Sequence, residues 1–412
     1  MAQNLPRSPL APASFPALPS VAGVEMATMA AGLRYRGRDD LTLFAMSEGT
    51  AAAGVFTRSK TAAAPVDWCR RINQHGGARA LLVNAGNANA FTGRAGHDAV
   101  AAEVRAVTDA LGCADETVWL ASTGVIGEPM DISGFRNLVG ELAGALTAPD
   151  WERGARAIST TDTFPKGAGG SARIDGQPVA LAGIAKGSGM IAPDMATMLA
   201  FLFTDAAITP AVLRTLLRDA ADHGFNRITV DGDTSTSDTV ALFATGRAGN
   251  RPITDASDPA LADFRRQLNA ICLDLAQQIV RDGEGASKFL EITVTGAESA
   301  GAARRIAFAI ANSPIFKAAV AGGDPNWGRV VMAVGKAGEA ADRDRLAIRF
   351  GDLPVAQNGH RHPDHDEAAC AAYFAGQSIR VSVDVGVGAG CDTVWTCDLT
   401  HQYIAINADY RS

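Results

Sequence analysis

Residues 186–206 read KGSGMIAPDMATMLAFLFTDA: a lysine and two glycines run into an apolar stretch that holds one hydroxyl, Thr197, directly after the small Ala196. A threonine hydroxyl can attack the carbonyl that precedes it, and Gly187 and Gly189 let the upstream chain bend sharply. An N-to-O acyl shift followed by ester hydrolysis then leaves Thr197 with a free α-amine. With an unperturbed pKa of roughly 7.7–8.0, such an amine serves as general base to its own hydroxyl near neutral pH. The competing reading is structural: MATMLAFLF is a short buried helix or strand, and Thr197 is a minor polar member of the core.

Other stretches offer chemistry of lower specificity. ASTGVIGEPM (residues 121–130) is a strand end broken by a glycine turn, where backbone N–H groups and the Thr123 hydroxyl can converge as an oxyanion hole or simply form a tight turn. Glu284, between glycines in RDGEGASK, reads as a loop carboxylate exposed enough to meet a ligand. Lys186 reads as a surface charge or a ligand contact, and GDPNWGRV (residues 323–330) as an architectural turn. Three patterns are rejected. GVGAGC after VSVDV has GxGxG spacing with β-like sequence where a nucleotide-binding helix must start. His360, His362 and His365 lack metal-ligand spacing, so no metal is expected. DGDTSTSD (residues 231–238) lacks the glycine and closing glutamate of a calcium loop.

The elements that must position these groups alternate between strand-like and amphipathic segments, the pattern of an α/β protein. ARALLVN (residues 78–84) predicts a buried strand. Val100, Val104, Val107 and Leu111 predict a helix that stops at Gly112, and TVWLAS (residues 117–122) predicts a strand ending before Thr123. Thr209, Pro210 and Gly224 bracket one helix and Pro259 and Gly283 another. IRVSVDVGVG, DTVWTCDL and YIAIN make the tail read as β-rich, and the glycine-rich spots at 167–170 and 386–390 read as loops.

With 412 residues, 47% hydrophobic and 20% charged, the chain can bury one large core or two smaller ones. A formal charge of −7 without a Lys/Arg cluster excludes a nucleic-acid footprint. The six cysteines lack CxxC spacing and fit reduced thiols in a cytoplasmic protein. The first 20 residues hold five prolines and read as a loose arm, not a secretory signal. No apolar run reaches the ~18 residues that span a bilayer.

Taken together, KGSGMIAPDMATML, ASTGVIG, VNAGNANA, TTDT, DGEGASK, GDPNWGRV and INADYRS resemble, in order and spacing, the ornithine acetyltransferases of arginine biosynthesis. The resemblance runs from about Val21 to Ser412. It implies cleavage between Ala196 and Thr197, with Thr197 as acetyl-accepting nucleophile and Thr123 and Gly124 as oxyanion hole. It implies substrate contacts at Thr160, Lys186, Thr197, Glu284, Asn407 and Ser412. Two departures are visible: Asp194 stands where members often carry Asn, and the chain ends in Ser412 where many end in Thr.

The implied fold is a layered α/β sandwich of the ornithine acetyltransferase/aminopeptidase-like type with a β-rich C-terminal part. The chain is expected to form two intertwined fragments, 1–196 (with the Pro-rich arm 1–20) and 197–412, paired as a heterotetramer of two of each. The implied reaction is transfer of acetyl from N-acetyl-L-ornithine to L-glutamate without a cofactor. Acetyl-CoA is an additional candidate donor. An N-terminal-nucleophile amidase or aminopeptidase with water as acceptor, and an uncut amino-acid-binding protein, are the alternatives.

Overall fold

The computed structural model describes residues 5–192 and 198–409. The first half of the chain forms β1 (Val24–Met29), β2 (Leu41–Met46), β3 (Ala51–Phe56), α1 (Ala64–Ile72), β4 (Ala80–Asn87), α2 (Gly93–Leu111), β5 (Val118–Val125), α3 (Phe135–Gly144), α4 (Trp151–Ala157), β6 (Lys166–Ile174) and β7 (Gln177–Lys186). The second half adds β8 (Leu199–Thr204), α5 (Pro210–His223), β9 (Thr239–Ala244), α6 (Ala262–Arg281), β10 (Phe289–Ala297), α7 (Ala300–Ala311), α8 (Pro314–Ala321), α9 (Trp327–Gly335), β11 (Ala347–Phe350), β12 (Leu353–Gln357), β13 (His360–Arg361), α10 (Glu367–Phe374), β14 (Ser378–Asp384), β15 (Gly390–Cys397) and α11 (His401–Asp409).

Strand alternation explains the layering. On β8, Leu199, Phe201 and Phe203 join one core while Ala200 and Leu202 join another, as period-2 side chains must when both faces are covered. One core lies between the β1-β2-β4-β5 sheet and the β3-β9-β8-β7-β6 sheet. It is filled by aromatic pairs that cross from sheet to sheet, with Phe44 and Phe203 at 4.9 Å between ring centroids and Trp119 and Phe243 at 5.5 Å. Helices α1 to α3 cover the outer face of the first sheet, and α5 and α6 that of the second. The result is a four-layer αββα sandwich. A third sheet, β13-β12-β11-β14-β10-β15, packs one face under α7 to α10 and lends Phe289, Trp395 and Cys397 to the α5–α6 core.

The helix boundaries follow the expected chemistry. Gly112 ends α2 in the left-handed region at φ 62°, and Gly224 follows α5. Thr209 occupies the N-cap position of α5 but its side chain makes no capping bond.

Four expectations need correction. The glycines at 167–170 lie within β6, where a Cβ on Gly167 would strike Phe15 at 2.3 Å and one on Gly170 would strike Gln267 at 2.3 Å. They make room for neighbours inside a sheet and do not mark a loop. The arm is not loose either: Phe15 and Leu18 pack on the core, Trp151 Nε1 donates to the Pro19 carbonyl at 3.1 Å, and Ser8 N–H donates to Thr163 Oγ1 at 2.9 Å. Strand β5 continues through Thr123 and Gly124 to Val125, because β4 goes on pairing beside it. YIAIN is helical, part of α11, and that places Tyr403 and Asn407 one turn apart.

Candidate active site

The site forms where several element ends meet. Lys186, the last residue of β7, pairs across the antiparallel ladder with Leu199, the first of β8. The chain therefore leaves and re-enters the sheet at one point, and the segment that carries the expected cleavage is anchored there at both ends. Ala196 and Thr197 themselves lie outside the described residues, as does Ser412.

Thr123 and Gly124 arrive from the neighbouring sheet at the end of β5. Gly124 has φ 131°, and a Cβ there would sit 2.2 Å from the Gly86 backbone of β4, so only glycine permits this approach. Lys186 reaches across, and its Nζ donates to Thr123 Oγ1 at 3.3 Å. That leaves the Thr123 hydroxyl proton free to point at another acceptor. Lys186 is 3% exposed, which overturns its reading as a surface charge. Burial pushes its ammonium below the usual lysine range, opposed chiefly by the Asp162 carboxylate.

Beneath Lys186 is a buried ionic cluster. Lys166 Nζ bridges Asp162 at 2.6 Å and Asp282 at 2.5 Å. Asp162 also accepts from Gly187 N–H at 2.7 Å and Thr160 N–H at 3.0 Å, which ties the Thr160 loop to the start of the KGSG turn. Burial works against its ionisation, yet Lys166 and Lys186 together hold its carboxyl well below the usual range. Asp282 has the opposite fate: burial pushes it up, and Lys166 only partly compensates. One lysine shared by two carboxyls cannot serve both equally. Asp282 is also held by Thr163 through N–H at 2.9 Å and through the hydroxyl.

Glu284 stands two residues on. It is 9% exposed, not the open loop carboxylate its flanking glycines suggest, because α11 folds over it. Asn407 Nδ2 donates to Glu284 Oε2 at 2.7 Å, and Gly285 passes so near α11 that a Cβ would meet Tyr403 N at 2.7 Å. Gly189 lies against the same carboxyl, where a Cβ would come within 2.6 Å. Burial raises the Glu284 pKa, and bonds from Asn407 and Thr161 pull against it. The Asp231 carboxylate fastens the chain at residues 190 and 191, accepting Met190 N–H at 2.7 Å, Ile191 N–H at 2.9 Å and the Tyr403 hydroxyl at 3.2 Å.

Among the described residues, then, Thr123, Gly124, Thr160, Lys186, Glu284 and Asn407 come together. Asp162, Lys166, Asp231, Asp238 and Asp282 join them without having been singled out. Asp162 and Asp282 lie inside the motifs TTDT and DGEG, yet nothing in a sequence distinguishes a buried carboxylate from a solvated one. Asp231 sits in the acidic run dismissed as a cation loop, and no group able to hold a metal ion occurs among the described residues. GDPNWGRV serves the third sheet, with Asn326 capping α9.

Known proteins resemble this chain along nearly its whole length. The arginine biosynthesis bifunctional protein ArgJ of Brucella suis biovar 1 (strain 1330) is 57% identical over 408 residues, which cover 98% of this chain and 99% of that protein. Residues 25–412 match the ArgJ family. This chain belongs to the ArgJ family. Its relative of the same name from Caulobacter vibrioides is 56% identical over 401 residues, covering 97% of this chain and 100% of the relative. A crystal structure of the arginine biosynthesis bifunctional protein from Bacillus halodurans is 39% identical with a TM-score of 0.48, covering 50% of this chain and 96% of that one.

Proposed function

We propose that this ArgJ-family chain cuts itself between Ala196 and Thr197 and then moves acetyl from N-acetyl-L-ornithine to L-glutamate through an ester on Thr197. The observation that carries the proposal is the Lys186–Leu199 pairing: it holds both ends of the Thr197 segment against Thr123, Gly124 and the Glu284–Asn407 pair.

The chemistry runs in two halves. The Thr197 amine takes the proton of its own Oγ, and Oγ attacks the acetyl carbonyl. Thr123 and Gly124 stabilise the oxyanion, each donor being worth roughly 3–4 kcal/mol in the barrier. The amide C–N bond breaks, the proton passes to the departing ornithine nitrogen, and acetyl-Thr197 remains. Glutamate enters the same pocket, its amine attacks the ester, and N-acetyl-L-glutamate leaves. Lys186 is suited to a substrate carboxylate, and Glu284 with Asn407 to an ammonium or amide. Thr160 and Ser412 complete the proposed contacts.

The cycle needs no cofactor, and acetyl-CoA is a second donor in this scheme. The working form is proposed to be cytoplasmic, with two 1–196 and two 197–412 fragments in a heterotetramer. No helix among the described residues is long and apolar enough to cross a membrane.

A denaturing gel tests the cut: two bands of nearly equal size are expected in place of one, with mass spectrometry finding a Thr197 terminus. Thr197→Ala is expected to remain one band and to lose transfer by at least about 10³-fold. Two pieces from that variant, or parent activity in it, would overturn the proposal. Acetate release without acetylglutamate would point to hydrolysis instead.

A further inference from the structure

Residues 30–40, AAGLRYRGRDD, join β1 to β2 at the edge where the site forms. Asp40 anchors this loop: its buried carboxylate accepts Ala31 N–H at 2.7 Å, and its carbonyl accepts Ala85 N–H of β4 at 2.9 Å. Arg34 and Tyr35 lie on Gly86, where a Cβ would sit 2.6 Å from Arg34 Cβ and 3.3 Å from Tyr35 Cε2. Gly86 is the residue that Gly124 approaches from its other neighbour strand, so the loop backs the glycine of the proposed oxyanion hole. Arg34 also pairs with Glu128 at 2.9 Å, on the chain that leaves β5.

The same loop reaches the opposite wall of the site through Arg38. Its guanidinium lies 4.2 Å from the centroid of the buried Tyr35 ring, and Nη2 donates to the Ser159 carbonyl at 2.5 Å and to the Arg156 carbonyl at 3.5 Å. A planar fork laid on a ring and bonded at its tip keeps little freedom. Ser159 is buried and directly precedes Thr160. From Thr160 onward the turn is held from within, by Asp162 on the N–H groups of Thr160 and Gly187 and by Asp282 on Thr163. A cavity of about 320 Å³ opens beside it, with Arg38, Ser159, Asp162 and Thr163 in its lining.

We propose that Arg38 is a positioning residue for the substrate pocket. Through one loop it ties the Thr160 turn to the strand ends that carry Thr123 and Gly124, and so fixes the distance between a substrate contact and the oxyanion hole. The proposal rests on the reading of Thr160 as a substrate contact. Arg38 touches no substrate in this role and moves no proton. It also lies at the C-terminal end of α4, where a cation stabilises the last carbonyls. Capping of that kind affects stability alone. A displaced substrate contact weakens binding in ground state and transition state together, which raises KM and leaves kcat.

The test is Arg38→Met, which keeps an apolar stem over Tyr35 and deletes the donors. The expected result is a KM for N-acetyl-L-ornithine raised by about threefold or more with kcat within threefold, and a matching rise in the Kd of L-ornithine measured by calorimetry on the folded variant. A smaller rise in both, a loss of kcat larger than the rise in KM, or a change confined to Tm overturns the role. Should Arg38→Met fail to fold, Arg38→Lys decides by the same threshold, because it keeps a cation at the end of α4 but not the planar fork. Failure of both variants to fold would make Arg38 a structural residue and overturn the role too. Failure of the underlying reading looks different: a wild type that neither transfers acetyl nor binds L-ornithine overturns the function together with the role of Arg38.

Discussion

Thr123 illustrates how one buried lysine can set the direction of a hydroxyl. Lys186 donates to the Thr123 oxygen, so the hydroxyl proton has no claim from that side and can serve a developing oxyanion. Under the proposed mechanism, Thr123→Val, which keeps the shape and deletes the donor, lowers kcat by about 10²–10³ with little change in KM. Thr123→Ser restores most of the rate. Steady-state kinetics of both variants check this, and a Thr123→Val enzyme within threefold of the parent would remove the hydroxyl from the oxyanion hole.

At the scale of elements, α2 carries an anomaly on its buried face. Glu103 is 2% exposed among Val100, Val104 and Val107, and its Oε2 has no partner among the described residues. Burial pushes its carboxyl up to about 8. The folded protein then keeps the proton through a range in which the unfolded chain, with an ordinary glutamate near 4.5, has lost it. Where the folded state binds more protons, stability falls as pH rises, here between about pH 4.5 and 8 at up to about 1.4 kcal/mol per pH unit. Glu103→Gln is expected to abolish that part of the slope. Denaturant unfolding of the two proteins at pH 5, 6.5 and 8 checks it: the difference should grow with pH, and parallel curves would show Glu103 ionised in the fold.

Viewed whole, the molecule would hold together through the proposed cleavage. In the second sheet, order β3-β9-β8-β7-β6, the two strands from after residue 196, β9 and β8, lie between β3 and β7, which come from before it. A cut there leaves six residue pairs between β7 and β8 and six between β3 and β9, with aromatic side chains of both fragments in the shared core. Burial at roughly 25 cal/mol per Å² of apolar surface makes separation of such pieces equivalent to unfolding. Native size-exclusion of cut protein should therefore give one peak holding both fragments, while a denaturing gel gives two bands. Dissociation in plain buffer would contradict the interleaved sheet.

The sequence by itself determined the α/β class, the long helices with their glycine stops, and the local motifs that make Thr123, Gly124, Lys186 and Glu284 candidates for the site. These are short-range properties, set by hydrophobic period, backbone freedom and side-chain type within a few residues. Only the tertiary structure decided that Lys186 and Glu284 are buried, that Asp162, Lys166 and Asp282 form one ionic cluster, and that Asp231 and Asp238 hold the two ends of the Thr197 segment. It also made YIAIN a helix, where Asn407 faces Glu284, and turned a glycine-rich stretch into a strand beneath the N-terminal arm. Burial and ionic pairing depend on which distant segments pack together, as Lys166 and Asp282 do across 116 residues, and no local pattern encodes that proximity.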